Sequence, residues 1–199
     1  MRINLMPAVA LCALFVFPAG ANRGPRNNAG AHPQDGSILP NASAVVKPRS
    51  YVSLDSVPRG SQFQVAVVVD IARGFHMNSH KPSDAYLIPT TLTPQLPPGI
   101  QLDETVYPEG RSEKFSFSPD KPLNVYTGSV TLRLRLSANA NAALGATSLP
   151  LILRYQACND AACLPPVKVP VAVSLQIAPA GTKAHPVHPE VFSPSSSSK

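Results

Sequence analysis

The sequence predicts an all-β fold, an antiparallel sandwich of immunoglobulin type, on three observations. Apolar residues recur at every second position in several runs, turn-forming dipeptides separate those runs, and the 23 prolines accompany a lack of any helical hydrophobic period. Several short strands at regular spacing with such turns are the pattern of a two-sheet sandwich. With no Trp to fill the core and no distant cysteine pair to bridge the sheets, the domain is not antibody-like.

The chain begins with Arg2, an apolar run from Leu5 to Phe17, and the small residues Ala19-Gly20-Ala21 before Asn22. This is the layout of a cleaved export signal over residues 1–21. The apolar run is shorter than the roughly 20 residues a membrane span needs, and Cys12 lies inside it and leaves with it. Residues 22–49 are rich in Asn, Gly, Pro, Ala and Ser without a hydrophobic period, which reads as a disordered linker. Residues 50–178 then form one domain, long enough for a proper core.

Within that domain Phe63, Val65, Val67, Val69 and Ile71 alternate with Gln62, Gln64, Ala66, Val68 and Asp70, placing one apolar row on the core. Val130, Leu132, Leu134 and Leu136 alternate with Thr131, Arg133 and Arg135. Leu149 to Gln156 is a more continuous apolar run. Val167, Val169, Val171, Val173, Leu175 and Ile177 repeat every second residue, and Pro170 among them requires an edge or an outward-facing position because it donates no ladder bond. Pro58-Arg59-Gly60, Pro97-Pro98-Gly99, Pro108-Glu109-Gly110 and Thr127-Gly128 supply turns. Residues 179–199, with two His-Pro dipeptides and four consecutive serines, read as a disordered Pro/Ser-rich tail.

The formal charge of +6 is misleading about partners. Residues 51–178 hold ten Lys or Arg against nine Asp or Glu, so the excess lies outside the domain and no basic nucleic-acid face is expected. Nor is stable membrane insertion, since no later stretch is long and apolar enough. An exported chain works where disulfides persist.

Only Cys158 and Cys163 remain after the signal, flanking Asn159-Asp160-Ala161-Ala162 between two β-type runs. As the ends of a hairpin they face each other at about 4.5 to 5.5 Å between Cα atoms, within reach of a disulfide. Such a small ring restricts the unfolded chain by only about 2 kcal/mol in the chain-entropy picture, so the pair suits redox exchange better than stapling. Pro165-Pro166 stiffens the following chain, and no His, Lys or Arg lies beside the cysteines in sequence to lower a thiol pKa.

Tyr155-Gln156-Ala157-Cys158 followed by Cys163-Leu164-Pro165-Pro166 resembles the active-site hairpin of the periplasmic N-terminal domain of DsbD-type thiol:disulfide interchange proteins. Gly74-Phe75-His76-Met77-Asn78 with Lys81-Pro82, Leu87-Ile88-Pro89-Thr90, Tyr107-Pro108 and Val125-Tyr126-Thr127-Gly128 are similar too. The resemblance spans residues 50–178 and implies an immunoglobulin-like domain that takes electrons from a thioredoxin-like or membrane-embedded redox protein and hands them to exported thiol proteins. It implies that Cys163 forms mixed disulfides and Cys158 resolves them, with no organic cofactor. A cap loop is implied as well, with Phe115 and Phe117 in Phe115-Ser116-Phe117-Ser118-Pro119 as its candidate. Full-length members continue into membrane and thioredoxin-like domains, so this chain is expected to meet its donor in trans.

Two other readings compete. One is a binding module whose hairpin disulfide is structural. The other is a periplasmic copper protein using His76, Met77 and His80, since imidazole and thioether both suit copper; the plainer view of that stretch is a strand end with Phe75 and Met77 packed on the core. His185 and His188 in the tail make no convincing site. Asp103 and Glu104, as neighbours on a strand, point to opposite faces and read as solvated charges rather than an acid–base pair.

Overall fold

In a computed structural model of the protein, residues 40–193 are described. The expected signal, Cys12, residues 22–39 of the expected linker and the terminal serines lie outside them. The elements run in order as α1 (Ala42–Val45), β1 (Val46–Val52), β2 (Val57–Pro58), β3 (Gln62–Ile71), β4 (His76–Asn78), β5 (Thr91–Pro94) and β6 (Ile100–Val106). They continue as β7 (Arg111–Phe115), β8 (Ser118–Tyr126), β9 (Ser129–Ala138), β10 (Gly145–Tyr155), β11 (Ala157–Cys158), β12 (Val167–Ala178) and α2 (Pro189–Phe192). Strand pairing is antiparallel except where β2 joins β12.

Two four-stranded sheets, β1-β3-β9-β6 and β2-β12-β10-β5, form an immunoglobulin-like sandwich, and a third, β11-β4-β8-β7, is attached to them. The period-two rows do what their spacing demands. Phe63, Val65, Val67 and Val69 meet Leu132, Leu134 and Leu136 from the neighbouring strand, and Leu149, Leu151, Leu153, Val171, Val173 and Leu175 close on them from the other sheet. All are sealed from water, and each such side chain contributes about 1.5–3 kcal/mol relative to exposure.

The turn glycines explain how strands this close are joined. Gly99 adopts φ +86°, and a Cβ on it would stand 2.3 Å from the Ala142 Cα, so only glycine fits there. Pro170 is exposed and registers with Ile152. The Ser50 hydroxyl donates to the Ala172 carbonyl at 2.7 Å, which places that carbonyl on the side of β12 away from β10. Pro170, two residues earlier, directs its donorless nitrogen to the same side, where nothing pairs with it.

Three expectations are corrected. Strand β1 starts at Val46, inside the segment read as linker, because Asn41 caps α1 by accepting from the Ser43 N–H and Val45 and Val46 are buried. Residues 179–193 are not free but form a strap. The Val187 N–H donates to the Ser53 carbonyl at 2.9 Å, the Asp55 N–H to the His185 carbonyl at 3.0 Å, and Arg133 to the Val191 carbonyl at 2.8 Å. The His188 ring meets Tyr51 edge-on at 5.1 Å. These are polar and edge contacts, which a search for hydrophobic period cannot see. Two hydrogen bonds from His185 hold the Asp55 carboxyl down at about 2.

The third correction concerns Asp103 and Glu104. A β-bulge between Leu102 and Glu104 breaks the alternation. Asp103 accepts from Ser137 and Glu104 pairs with Arg135 at 2.6 Å, and those partners are two residues apart on one face. Both carboxylates therefore share a face, where they remain exposed surface charges.

Candidate functional site

The two cysteines lie where the chain leaves one sheet and returns to it. Strand β10 pairs with β12 up to Tyr155 and Val167. Between them the chain detours, lending Ala157 and Cys158 to the third sheet as β11. Tyr155 anchors the departure: fully buried, it donates its hydroxyl to the Ala42 carbonyl at 3.0 Å, and burial raises its pKa to about 12. Leu164 anchors the return, also fully buried, with its N–H on the Ala157 carbonyl at 2.8 Å. The tip is held by Asn159, whose side-chain oxygen accepts from the N–H groups of Ala161 and Ala162, an Asx arrangement that turns the chain tightly.

Across this small hairpin Cys158 and Cys163 form an isolated antiparallel bridge and a disulfide, with 4.0 Å between Cα atoms. They are not equivalent. Cys158 is 1% exposed, whereas Cys163 is exposed.

The third sheet explains the asymmetry. Its register sets Cys158 opposite His76, Ala157 opposite Met77, Met77 opposite Tyr126, and Asn78 opposite Val125. Facing residues share a side of the sheet and neighbours alternate. Ala157, Met77 and Tyr126 therefore point into the main core. Cys158, His76 and Asn78 take the other side with Val125, where Phe115, Leu123 and Val125 form a second, smaller apolar cluster. A three-residue strand buried on both faces, His76–Asn78, is the result.

The β7–β8 hairpin closes over this second side. Phe115 is 9% exposed and stacks on the His76 ring with centroids 4.1 Å apart. Phe117 is exposed and stacks on Phe115 at 5.4 Å. Ser116 donates to the Asp160 carbonyl at 3.3 Å, tying the hairpin tip to the cysteine loop. Beside these rings opens a cavity of about 460 Å³, lined in part by Arg73, Phe75, His76, Glu113, Phe115 and Asp160.

His76 escaped the sequence reading as a neighbour of the pair, because a two-residue pairing between distant segments leaves no periodic trace. It is 3% exposed and its Nε2 has no hydrogen-bond partner. Burial depresses its pKa below the ordinary value, opposed by the negative charges of Glu113 and Asp160. The copper alternative loses its geometry here: Met77 points into the core while His76 points away from it, and the His80 ring stacks on Tyr107 at 3.6 Å with Nδ1 against the Thr90 carbonyl at 3.1 Å. Among the described residues no group of three or more His, Cys, Asp or Glu is placed to hold a metal.

Residues 42–175, well over half of the chain, match the family described as "Thiol:disulfide interchange protein DsbD, N-terminal". Solved structures that match include the DsbD N-terminal domain of Neisseria meningitidis in the reduced form. It is 19% identical, with 76% of this chain and 97% of that one covered and a TM-score of 0.43. Another is the N-terminal periplasmic domain of ScsB from Proteus mirabilis, 10% identical, with 66% of this chain and 46% of that one covered and a TM-score of 0.45. No curated protein matches. No helix among the described residues is long and apolar enough to cross a membrane.

Proposed function

The chain belongs to the family of DsbD N-terminal thiol:disulfide interchange domains, and from that premise we propose that it passes reducing equivalents between partner proteins through Cys158 and Cys163. The observation that carries this reading is the unequal exposure of the two residues of one disulfide, Cys158 buried and Cys163 exposed, since exchange begins at a sulfur that a partner reaches.

In the reducing direction, the dithiol form meets a partner disulfide. The Cys163 thiolate attacks one partner sulfur, a Cys163–partner bond forms, and the other partner sulfur leaves as thiolate and takes a proton. The Cys158 thiolate then attacks Cys163 Sγ, and the sulfur that had been joined to Cys163 leaves. The domain ends as the disulfide and the partner as the dithiol, two electrons having moved. A thioredoxin-like or membrane-embedded dithiol protein restores the starting state by the reverse sequence. Phe115 and Phe117 serve as the cap that limits access to the pair, and the work takes place outside the cytoplasm after residues 1–21 are removed.

The reading of the disulfide as a staple is disfavoured by the hairpin's other supports. Buried Tyr155 and Leu164 and the Leu164-to-Ala157 hydrogen bond hold the loop without it. The test is equilibration of the full chain with dithiothreitol or glutathione buffers, trapping free thiols. A potential of roughly −270 to −120 mV with the fold retained on reduction is expected, and a value below about −300 mV would make the bridge structural. Cys158→Ser should accumulate mixed disulfides on Cys163 when a thioredoxin-like partner is supplied in its disulfide form.

A further inference from the structure

We propose that His76 is the proton acceptor for the Cys158 thiol in the resolving step, an inference that rests on the exchange function of the pair. Only a thiolate attacks a disulfide, and an ordinary thiol has a pKa of about 8.5. Cys158 is sealed from solvent, so bulk water is poorly placed to take its proton and burial alone disfavours the charged form. A protein base must supply the site.

The register supplies one. His76 is the cross-strand partner of Cys158, so the two side chains leave the same face of the sheet about 4.5–5.5 Å apart at Cβ. The imidazole is itself almost wholly buried, and its Nε2 meets no hydrogen-bond partner while the disulfide is closed. An orphaned buried nitrogen is costly and calls for an explanation. A thiol at Cys158, present only in the reduced and mixed-disulfide states, provides the missing partner.

The surrounding charges suit the task. Burial lowers the His76 pKa, and Glu113 from β7 and Asp160 from the cysteine loop oppose that shift by favouring the protonated form. Glu113 is itself hydrogen-bonded by Thr127. Arg73 lines the same cavity and is the opposing charge. Phe115, stacked on the ring, fixes its plane and keeps water from it.

In the step itself, Cys163 is joined to the partner sulfur and Cys158 carries a proton. That proton moves from Cys158 Sγ to His76 Nε2. The freed electron pair attacks Cys163 Sγ, the Cys163–partner bond breaks, and its pair leaves on the partner sulfur, which takes the proton back from the imidazolium. The products are the Cys158–Cys163 disulfide, a partner thiol and neutral His76, and the atoms and electrons balance.

The test uses the full chain with Cys163→Ser, reduced, so that Cys158 is the only thiol of the folded domain, and follows its alkylation from pH 5 to 9. With His76 present the rate at pH 6.5 should exceed by about tenfold that of the His76→Phe counterpart, which keeps the ring stack and lacks the base. Equal profiles would overturn the role. A second measurement needs no variant: the His76 imidazole is titrated by NMR in the oxidised and reduced wild-type protein. A pKa that rises on reduction supports the proposal, and one that stays fixed refutes it. Failure of exchange itself reads separately, because wild-type protein unable to trade disulfides with a thioredoxin-like dithiol would defeat the functional reading whatever these profiles show.

Discussion

The sandwich core and the third sheet are built by the same alternation and used for opposite ends. In β3 and β9 the inward rows from Phe63 to Val69 and from Val130 to Leu136 are apolar and face one another, while Gln64, Arg133 and Arg135 lie on the outer side. In β4 and β11 both faces are covered, and the face away from the core holds one half of a disulfide, an imidazole and an amide rather than aliphatics. Long paired strands make the first region insensitive to any single polar group. Strands of two and three residues make the second dependent on its flanking anchors, Tyr155, Leu164 and Phe115. The lesson is that the site is held from outside itself, which leaves its own residues available for chemistry.

Four experiments test whether the two regions differ in this way. Leu134→Ala, in the sealed core, should cost about 2–5 kcal/mol in denaturant unfolding. A loss below about 1 kcal/mol would mean the core collapses around the gap and is not the rigid half of the pair. Reducing the disulfide should cost about 2 kcal/mol with far-UV circular dichroism unchanged; cooperative unfolding on reduction would show that the site holds the sandwich up.

Phe115→Ala should cost less than a sealed phenylalanine, about 1–2 kcal/mol, while Cys158 of the reduced protein becomes markedly faster to alkylate. If stability falls as far as in Leu134→Ala, the two regions are one cooperative unit. The smallest effect belongs to the strap. The Asp55 carboxyl is held at about 2 against an ordinary value of 3.8. A depressed carboxyl stabilises above its unfolded pKa, so the strap's anchorage is complete above about pH 4 and is lost as pH falls through about 2. Amide signals of residues 185–191 should move in that window, and Asp55→Asn should remove that movement while leaving the denaturant midpoint of the domain unchanged.

The sequence was most legible where one rule acted alone. Phe63 to Ile71 and Val130 to Leu136 carried their strands openly, and Cys158 and Cys163 announced the hairpin and its disulfide. Legibility failed where distant segments meet in pairs of residues: nothing in His76-Met77-Asn78 says which strand it will join, so its histidine could not be placed beside a cysteine. It failed again at the bulge after Leu102, where one extra residue undoes the alternation that put Asp103 and Glu104 on opposite faces. The strap escaped for a third reason, since its Pro-rich composition matches free chain while His185 and Val187 find specific polar partners.

The outward nitrogen of Pro170 bears on how the molecule behaves in a crowd. An open sheet rim is a ready template on which a second copy of the same chain adds a strand, and natural β-proteins blunt such rims. Along β12 the blunting is distributed: Pro170 offers no donor, Ser50 already occupies the Ala172 carbonyl, and β2 covers Ile177 and Ala178 at the far end. Edge-to-edge zippering of β12 is thereby disfavoured, so concentrated protein is protected along that rim from fibrillar growth.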